Sequence, residues 1–309
     1  MRLGADHVVV RVPATSANLG PGFDAMGLAL GLYDEIEVRL VASDEIRVDV
    51  TGEGAGEVPD GEDHLVVRAL RHTLEVAGAP LTGMHLRCAN RIPHGRGLGS
   101  SAAAVVSGIV AARGLLADPQ ALGRTTMLGI ATAFEGHPDN AAPALRGGAT
   151  LAWSGPAGPR AVDLELDPRI AATVLVPDVR LATSRARGVL PEQVPHADAA
   201  FTAGRAALLV EALARRPELL LDATEDRIHQ DYRAEVMAAT AELVRSLRAE
   251  GLAATVSGAG PTVLVLTGPG QQEPLDALLA DLVDDVAGWR RADPGIDTAG
   301  AVCRSGSMN

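Results

Sequence analysis

Lysine is absent from this chain of 309 residues, so every strongly basic side chain is an arginine. That absence excludes a Schiff-base lysine, a Walker A loop ending in Gly-Lys-Ser/Thr and the strand lysine of protein kinases. Aromatic residues make up only 2% of the sequence, which leaves few rings on which unpaired bases could stack. The formal net charge of −12 also disfavours a surface for phosphate backbones, so we expect no nucleic-acid partner.

Cysteine and long apolar segments are also scarce. The two cysteines, Cys88 and Cys303, lie far apart and match neither a metal-ligand spacing nor a disulfide framework. The N-terminal residues contain no apolar signal core, and glycine, arginine and aspartate interrupt the apolar stretches before they could span a bilayer. A hydrophobic content of 47% beside 21% charged residues is typical of a globular chain. We therefore expect a cytoplasmic protein without a membrane partner.

Hydrophobic periodicity divides the chain into strands and helices in mixed order. Alternating, β-branched segments predict strands over 7–12, 33–41, 45–50, 83–90, 148–153, 172–176, 253–257, 262–267 and 296–302. Apolar residues at helical spacing predict helices over 65–77, 101–116, 122–134, 202–215, 234–250 and 272–286. Proline, glycine and asparagine interrupt residues 13–27, which are predicted to be irregular. The order indicates an α+β fold with a largely antiparallel sheet, and the Gly/Pro stretch at 154–159 predicts two domains, 1–154 and 155–309.

A glycine-rich loop that leads directly into a helix is the strongest local signal. Residues 93–103 read Pro-His-Gly-Arg-Gly-Leu-Gly-Ser-Ser-Ala-Ala, with glycine at every second position of the loop. Such glycines let backbone N–H groups approach an anion, and the helix N-terminus adds unpaired donors and the positive end of its dipole. The spacing matches neither the Rossmann fingerprint nor, without a lysine, Walker A. A phosphate-binding loop of another type is therefore predicted.

This loop and four other ordered segments resemble those of the GHMP kinases, the family named after galactokinase, homoserine kinase, mevalonate kinase and phosphomevalonate kinase. The segment VPATSANLGPGFD at 12–24 is similar to the family's N-terminal substrate motif, and SGAGPT at 257–262 to its C-terminal glycine motif. Three details resemble the homoserine kinase branch in particular: TSANLG at 15–20, EGHPDN at 135–140 and HQDYR at 229–233. The resemblance covers nearly the whole chain.

The resemblance implies a fold and an activity. The expected fold is the two-domain α+β GHMP kinase fold, with an N-terminal domain like domain 2 of ribosomal protein S5, a C-terminal ferredoxin-like domain, and the site between them. The expected activity is ATP-dependent phosphorylation of the side-chain hydroxyl of L-homoserine, a step of threonine biosynthesis. Two alternatives stay open: another GHMP kinase that acts on a different small alcohol, and a non-catalytic ligand-sensing relative. The oligomeric state is also open, with a homodimer as one alternative.

The cofactors that the resemblance implies are ATP and Mg²⁺. The loop residues expected to bind ATP are Pro93, Gly95, Arg96, Gly97, Leu98, Gly99, Ser100, Ser101 and Ala102. Either Ser100 or Ser101, together with Glu135, is expected to hold Mg²⁺, which takes few protein ligands and fills its remaining positions with phosphate oxygens and water. Taken alone, Glu135 also fits a solvated helix end.

The substrate-binding residues that the resemblance implies are polar, except for one glycine. They are Asn18, Asp24, His137, Asp139, Arg187, Arg233 and Gly260. An amino-acid zwitterion needs an acidic partner for its ammonium, for which Asp24 is suited. Arg187 and Arg233 are suited to the carboxylate because a guanidinium group binds carboxylates bidentately. Arg185 is an alternative to Arg187, and a cap of the preceding helix is an alternative role for His137.

The catalytic residues expected are Asn140, Arg233 and Glu135. Mevalonate and galactose kinases have an active-site aspartate beside a lysine, whereas the matching residue here is Asn140 and no lysine exists. An amide cannot act as a general base, but phosphoryl transfer through a loose transition state depends mainly on positioning and charge stabilisation. We therefore expect Asn140 to orient the hydroxyl and Arg233 to stabilise the transition state. Asp139, one residue away, is expected to point elsewhere if this stretch is extended.

Overall fold

The computed structural model describes residues 1–283 and 288–306. Its strands are β1 (His7–Asn18), β2 (Gly22–Val41), β3 (Ile46–Gly52), β4 (Gly83–Asn90), β5 (Ala149–Gly155), β6 (Gly158–Leu164), β7 (Ala171–Pro177), β8 (Ala253–Val256), β9 (Val263–Thr267), β10 (Trp289–Ala292) and β11 (Val302–Gly306). Its α-helices are α1 (Leu65–Val76), α2 (Ser100–Leu115), α3 (Arg124–Glu135), α4 (Ala141–Arg146), α5 (Thr183–Gly188), α6 (His196–Ala214), α7 (Leu220–Ala223), α8 (Gln230–Arg233), α9 (Ala238–Ala249) and α10 (Gln272–Val283). None of the helices in these residues is both long and apolar enough to cross a membrane.

The larger sheet carries the first half of the chain. Among the described residues it has seven strands, with β11-β1-β2-β4-β3 in spatial order and the β5–β6 hairpin attached to β2. The pairing is antiparallel except between β3 and β4. Helix α2 packs against this sheet, and its residues Ala102, Ala103, Val106 and Ile109 are fully buried. A helix that is apolar on all sides is stabilised by burial of its whole surface. The N-terminus of α2 lies at one end of the sheet.

Residues 13–27 differ from the irregular structure that the sequence predicts. Strand β1 continues to Asn18 and β2 begins at Gly22, so only a three-residue turn separates them. Proline cannot donate to a strand ladder, and here Pro13 lies beside a shift in register between Pro13 and Ala14. The turn itself uses left-handed backbone at Asn18, Leu19 and Gly20. The density of proline and glycine therefore marks a distorted hairpin, and the prediction of irregular structure was wrong.

The smaller sheet forms the second layer of the molecule. Its described strands have the order β10-β7-β9-β8 and are all antiparallel. In chain order this domain has strand β7, several helices, strands β8 and β9, helix α10 and strand β10. In the sheet, β10 lies beside β7, and β9 lies between β7 and β8. This is the ferredoxin-like arrangement, so the predicted α+β GHMP fold is confirmed.

The chain crosses between the two sheets twice. The predicted boundary between residues 154 and 155 falls inside the β5–β6 hairpin, whose strands pair from Ala149–Leu164 to Gly155–Gly158. Strand β11 also returns to the first sheet, where it pairs with β1. We propose instead that the first domain comprises residues 1–164 together with 302–306, and that the second begins before β7.

The strand predicted over 296–302 is shifted toward the C-terminus. Ile296 makes one isolated bridge to Leu30, and the regular strand is Val302–Gly306. Between them the Asp297 carboxylate accepts N–H bonds from Ala299 and Gly300, at 3.0 and 2.6 Å. Aspartate that binds its own following backbone forms a turn, which competes with strand pairing. The helix predicted over 272–286 is confirmed for 272–283, and its last three residues lie outside the described residues.

Candidate active site

A cleft of about 340 Å³ lies where the N-terminus of α2 meets the second domain. Four segments form it: the β1–β2 turn, the glycine loop with α2, the end of α3 with the residues before α4, and parts of the smaller domain. The lining residues are Asn18, Gly95, Gly97, Gly99, Ser100, Ser101, Phe134, Glu135, His137, Asp139, Asn140, Leu181, Thr183, Arg187, Arg233, Gly258 and Ala259. Segments far apart in sequence therefore converge on one polar cavity.

The glycine loop takes a shape that only glycine allows. Gly95, Gly97 and Gly99 have φ angles of 65°, 75° and 68°, all in the left-handed region. A side chain on Gly97 would collide with the Ser257 carbonyl, and one on Gly99 would collide with the Thr15 hydroxyl. Left-handed residues alternating along a loop turn successive N–H groups toward one side, where they form an anion-binding concavity. The free N–H groups of the first turn of α2 continue this surface.

Ser101 and Glu135 form a hydroxyl–carboxylate pair within the cleft. Ser101 Oγ donates to Glu135 Oε1 at 2.6 Å, linking the first turn of α2 to the last residue of α3. Burial raises the pKa of Glu135, and the hydrogen bond from Ser101 partly offsets that rise. Helix α3 ends here because Gly136 adopts the left-handed conformation that closes many helices. One carboxylate and one hydroxyl are the kind of sparse oxygen donors that Mg²⁺ accepts from proteins.

Asp139 and Asn140 both line the cleft, which corrects the expectation that Asp139 points elsewhere. The stretch is a turn rather than extended chain: Asn140 has helical backbone and the Asp139 carboxylate accepts its N–H at 2.9 Å. The Asn140 Oδ1 atom accepts a hydrogen bond from Thr15 Oγ1 at 2.8 Å. Burial raises the pKa of Asp139 to about 6, and His137 partly offsets this rise. The His137 Nδ1 atom lies 3.9 Å from Asp139 Oδ1.

Asp24 and Arg187, predicted to bind opposite ends of a zwitterion, bind each other. Arg187 Nη2 and Nη1 donate to the two Asp24 carboxylate oxygens at 2.6 and 3.2 Å. Asn18 supports this corner: its Oδ1 accepts the Asp24 N–H at 3.0 Å and its Nδ2 donates to the Gly258 carbonyl at 2.8 Å. Asp24 itself has a φ of 54°, a strained value for a non-glycine residue. The pair links the β1–β2 hairpin to α5.

Arg233 is the largest fully buried side chain, at 1% exposure. Its Nε donates to the Ala186 carbonyl at 3.2 Å and its Nη1 to the Gly258 carbonyl at 3.0 Å. Burial lowers the pKa of Arg233 to about 10, with a further lowering by Arg187 and opposing rises from nearby carboxylates. The guanidinium is therefore still a cation at neutral pH, fixed at the wall of the cleft.

Comparison with known proteins identifies the family. The chain matches the families described as GHMP kinases N terminal domain, over residues 64–148, and GHMP kinases C terminal, over residues 205–279. It is 53% identical over 300 residues to the homoserine kinase of Streptomyces coelicolor, covering 96% of this chain and 94% of that protein. The chain belongs to the homoserine kinases of the GHMP kinase family. The kinase is also 54% identical over 276 residues to the homoserine kinase of Clavibacter michiganensis, with coverages of 89% and 87%.

The kinase shares its fold with solved structures. It aligns with the crystal structure of homoserine kinase from Cytophaga hutchinsonii at a TM-score of 0.82 and 26% identity, covering 97% of this chain and 98% of that one. Its matched family segments contain the glycine loop, Glu135 and Arg233, whereas Asn18 and Arg187 of the cleft lie outside both segments. An ATP-dependent small-molecule kinase is the class of enzyme to which it belongs.

Some predicted site residues stand behind the cleft rather than on its surface. Arg96 donates to the carbonyls of Pro177 and Asp178 and so ties the glycine loop to the end of β7. Leu98 and Ala102 are buried in the core, where only their backbone can serve a ligand. Gly260 likewise packs against Met237. Pro93 is also buried, and none of these five residues lines the cleft.

Sequence reasoning missed several residues that form the site. Thr183, the first residue of α5, lines the cleft. Gly260 is the residue predicted to contact the substrate, but its neighbours Gly258 and Ala259 line the cleft instead. Thr15 and His229 contact Asn140 and Arg233, respectively. Thr15 and His229 belong to the motifs that resemble homoserine kinases, which is the signal that could have drawn attention to them.

Proposed function

We propose that this kinase transfers the γ-phosphoryl group of ATP to the side-chain hydroxyl of L-homoserine, giving O-phospho-L-homoserine for threonine biosynthesis. The observation that carries the proposal is the meeting, in one cleft, of an anion-binding glycine loop with Arg187 and Arg233. Asp24 does not line the cleft, but its carboxylate is bonded to Arg187, which does. A sugar or mevalonate offers no ammonium group for Asp24. Homoserine offers an ammonium, a carboxylate and a primary hydroxyl at the end of a short arm.

The phosphates of ATP are expected to lie on the glycine loop and the first turn of α2. The positive φ angles at Gly95, Gly97 and Gly99 support this assignment, because they orient backbone donors toward the cleft. Mg²⁺ fits the donors at Ser101 and Glu135, with Ser100 beside them, and supplies neutralisation of phosphate charge when bound. Separation of Ser101 from Glu135 would free both side chains for that role.

The substrate zwitterion is expected to dock against the Asp24–Arg187 pair. Its ammonium would take a carboxylate oxygen of Asp24, and its carboxylate would take guanidinium donors of Arg187 and Arg233. Arg187 Nε is buried and makes no hydrogen bond among the described residues, so the guanidinium has unused donor capacity that a shift of the side chain would expose. Asn18, His137 and Asp139 complete the polar wall on the side of the larger domain.

Catalysis is expected to rest on position and charge, without an essential side-chain base. Asn140 orients the acceptor hydroxyl, and its own amide is oriented by Thr15. Arg233 presents a fixed cation to the charge that develops on the transferred group. The hydroxyl proton passes to a γ-phosphate oxygen or to water, so no carboxylate has to accept it.

Product identification tests the proposal. The purified kinase is incubated with ATP, Mg²⁺ and L-homoserine, and the product is identified by phosphorus NMR and mass spectrometry. A phosphomonoester on homoserine, formed together with ADP, is the expected result. Glu135→Gln is the matched control, since it keeps the shape of the side chain and removes its charge. ADP formed without phosphohomoserine, or no consumption of ATP by a folded protein, would overturn the proposal.

A further inference from the structure

His229 lies next to Arg233 in the protein interior and does not line the cleft. It is fully buried, and it precedes the short helix α8 that carries Arg233. Its Nδ1 atom lies 3.2 Å from Arg233 Nη1, and its Nε2 atom lies 2.7 Å from the Gly20 carbonyl oxygen. The imidazole thus bridges Arg233 to the β1–β2 turn, 209 residues away from His229 in sequence.

The partners of the ring decide its protonation. The guanidinium nitrogen beside Nδ1 can only donate, so Nδ1 must accept and carries no proton. The oxygen beside Nε2 can only accept, so Nε2 must donate and carries the proton. The Asp226 carboxylate, 3.5 Å from Nε2, favours the same assignment. The neutral Nε2–H tautomer is therefore the one form of His229 that satisfies both contacts.

The surroundings of His229 hold the ring in this orientation. Asp226 accepts the backbone N–H groups of Ile228, His229 and Gln230 at 2.9–3.0 Å, which fixes the start of α8. The Phe23 ring stacks on the imidazole, with 5.0 Å between ring centroids and an interplanar angle of 26°. Burial lowers the pKa of His229, and the positive charge of Arg233 lowers it further. The negative charges of Asp226 and, more weakly, Asp24 raise it.

We propose that His229 is a positioning residue: its unprotonated Nδ1 orients the guanidinium of Arg233, and its Nε2–H ties that guanidinium to the substrate turn at Gly20. The chain of contacts is continuous, from the Gly20 carbonyl through the imidazole to Arg233 Nη1 and on to the Gly258 carbonyl. Arg233 Nε is held by the Ala186 carbonyl and Nη1 by His229 and Gly258, which among the described residues leaves Nη2 to meet a ligand. This inference rests on the proposed role of Arg233.

Two substitutions separate the two contacts. Asn has its amide where the imidazole has Nδ1, so His229→Asn keeps an acceptor for Arg233 and loses the donor to Gly20. Gln has its amide where the imidazole has Nε2, so His229→Gln keeps the donor and loses the acceptor. A shift of the guanidinium by an ångström costs on the order of a hundredfold in rate. We expect kcat of the Gln variant to lie at least about tenfold below that of the Asn variant, with KM for ATP similar in both.

A purely structural role would give a different pattern. In that case His229→Asn and His229→Gln would both have a lower melting temperature and a smaller folded fraction. Their kcat values, calculated per folded molecule, would be equal. Equal kcat values would therefore overturn the proposal. In an Arg233→Lys background, the difference between His229→Gln and His229→Asn should vanish, because the group that Nδ1 orients is gone. If Arg233→Lys alone leaves kcat and KM unchanged, the proposed role of Arg233 fails, and the His229 proposal fails with it.

The tautomer can be measured in the wild-type protein, which avoids any loss of folding. Nitrogen-15 NMR of histidine-labelled kinase distinguishes the two ring nitrogens for each of the 8 histidines. The His229 imidazole is expected to show a protonated Nε2 and an unprotonated Nδ1 at neutral pH. Assignment by the His229→Asn spectrum identifies the signal. A His229 with a protonated Nδ1 at neutral pH would contradict the proposal.

Discussion

Loss of either member of the Asp24–Arg187 pair should weaken homoserine binding much more than it weakens the fold. The substitutions are Asp24→Asn and Arg187→Gln, both of which keep the approximate shape of the side chain and remove its charge. In the structure each residue is bonded to the other by two contacts, at 2.6 and 3.2 Å. Each substitution therefore deletes one expected contact to the zwitterion and leaves the partner unpaired.

The size of the effect follows from exposure and charge. The two side chains are 32% and 35% exposed, so as an ion pair they add at most about 1 kcal/mol to stability. A hydrogen bond to a charged ligand group contributes about 1.5–3 kcal/mol, which corresponds to a rise in KM for homoserine of roughly ten- to a hundredfold. The double variant should raise KM by less than the product of the single effects, because the two residues act as one unit.

A coupled ADP-release assay at saturating ATP measures KM and kcat for homoserine. Arg185→Gln is the matched control, since Arg185 lies two residues before Arg187 on α5 and is exposed outside the cleft. Its KM should equal that of the wild type. If both Asp24→Asn and Arg187→Gln keep KM within about threefold of wild type, the pair does not bind the zwitterion and the reasoning is refuted.

Five further substitutions test the rest of the site. Ser101→Ala and Glu135→Gln should each lower kcat by about a hundredfold at saturating Mg²⁺, and near-normal turnover in both would remove the metal assignment. Asp139→Asn should raise the free energy of unfolding at neutral pH by about 1–3 kcal/mol, because burial raises the pKa of Asp139 to about 6. The Asp139 carboxyl binds its proton more tightly in the folded wild type than in the unfolded chain, so the free energy of unfolding falls as pH rises from about 4 to about 6. In chemical unfolding measured across this pH range, the Asp139→Asn variant should lack this decrease. Thr15→Val should lower kcat by about tenfold by freeing Asn140, whereas Asn140→Asp should give no gain in rate, and a gain would indicate that a base is used.

The parts of the site that the sequence predicts correctly are those with a local physical cause. Glycine at 95, 97 and 99 before a run of small residues specifies the loop and the N-terminus of α2, because both depend on the chain's own backbone. The closing of α3 next to Glu135 is equally local, since Gly136 provides the left-handed residue. Both features can be predicted without knowing which residues pack against them.

The parts that the sequence does not predict depend on contacts across the fold. Thr15 and Asn140 are 125 residues apart, and no periodicity or spacing indicates that their side chains meet. The pairing of Asp24 with Arg187 spans 163 residues and is decided by how α5 docks on the β1–β2 hairpin. The hairpin itself was obscured because proline and glycine usually end strands, whereas here they are absorbed by a register shift and a tight turn.

The most direct test of the account is the specificity of the wild-type kinase, measured as kcat/KM for L-homoserine beside L-serine, L-threonine, mevalonate and galactose at saturating ATP. We predict that L-homoserine has the highest kcat/KM of the five alcohols. Serine places its hydroxyl about an ångström or more short of the γ-phosphate, which costs on the order of a hundredfold. Threonine should bind and inhibit without reacting well. A preference of about tenfold or more for mevalonate, a sugar or serine would contradict the assignment of homoserine as the substrate.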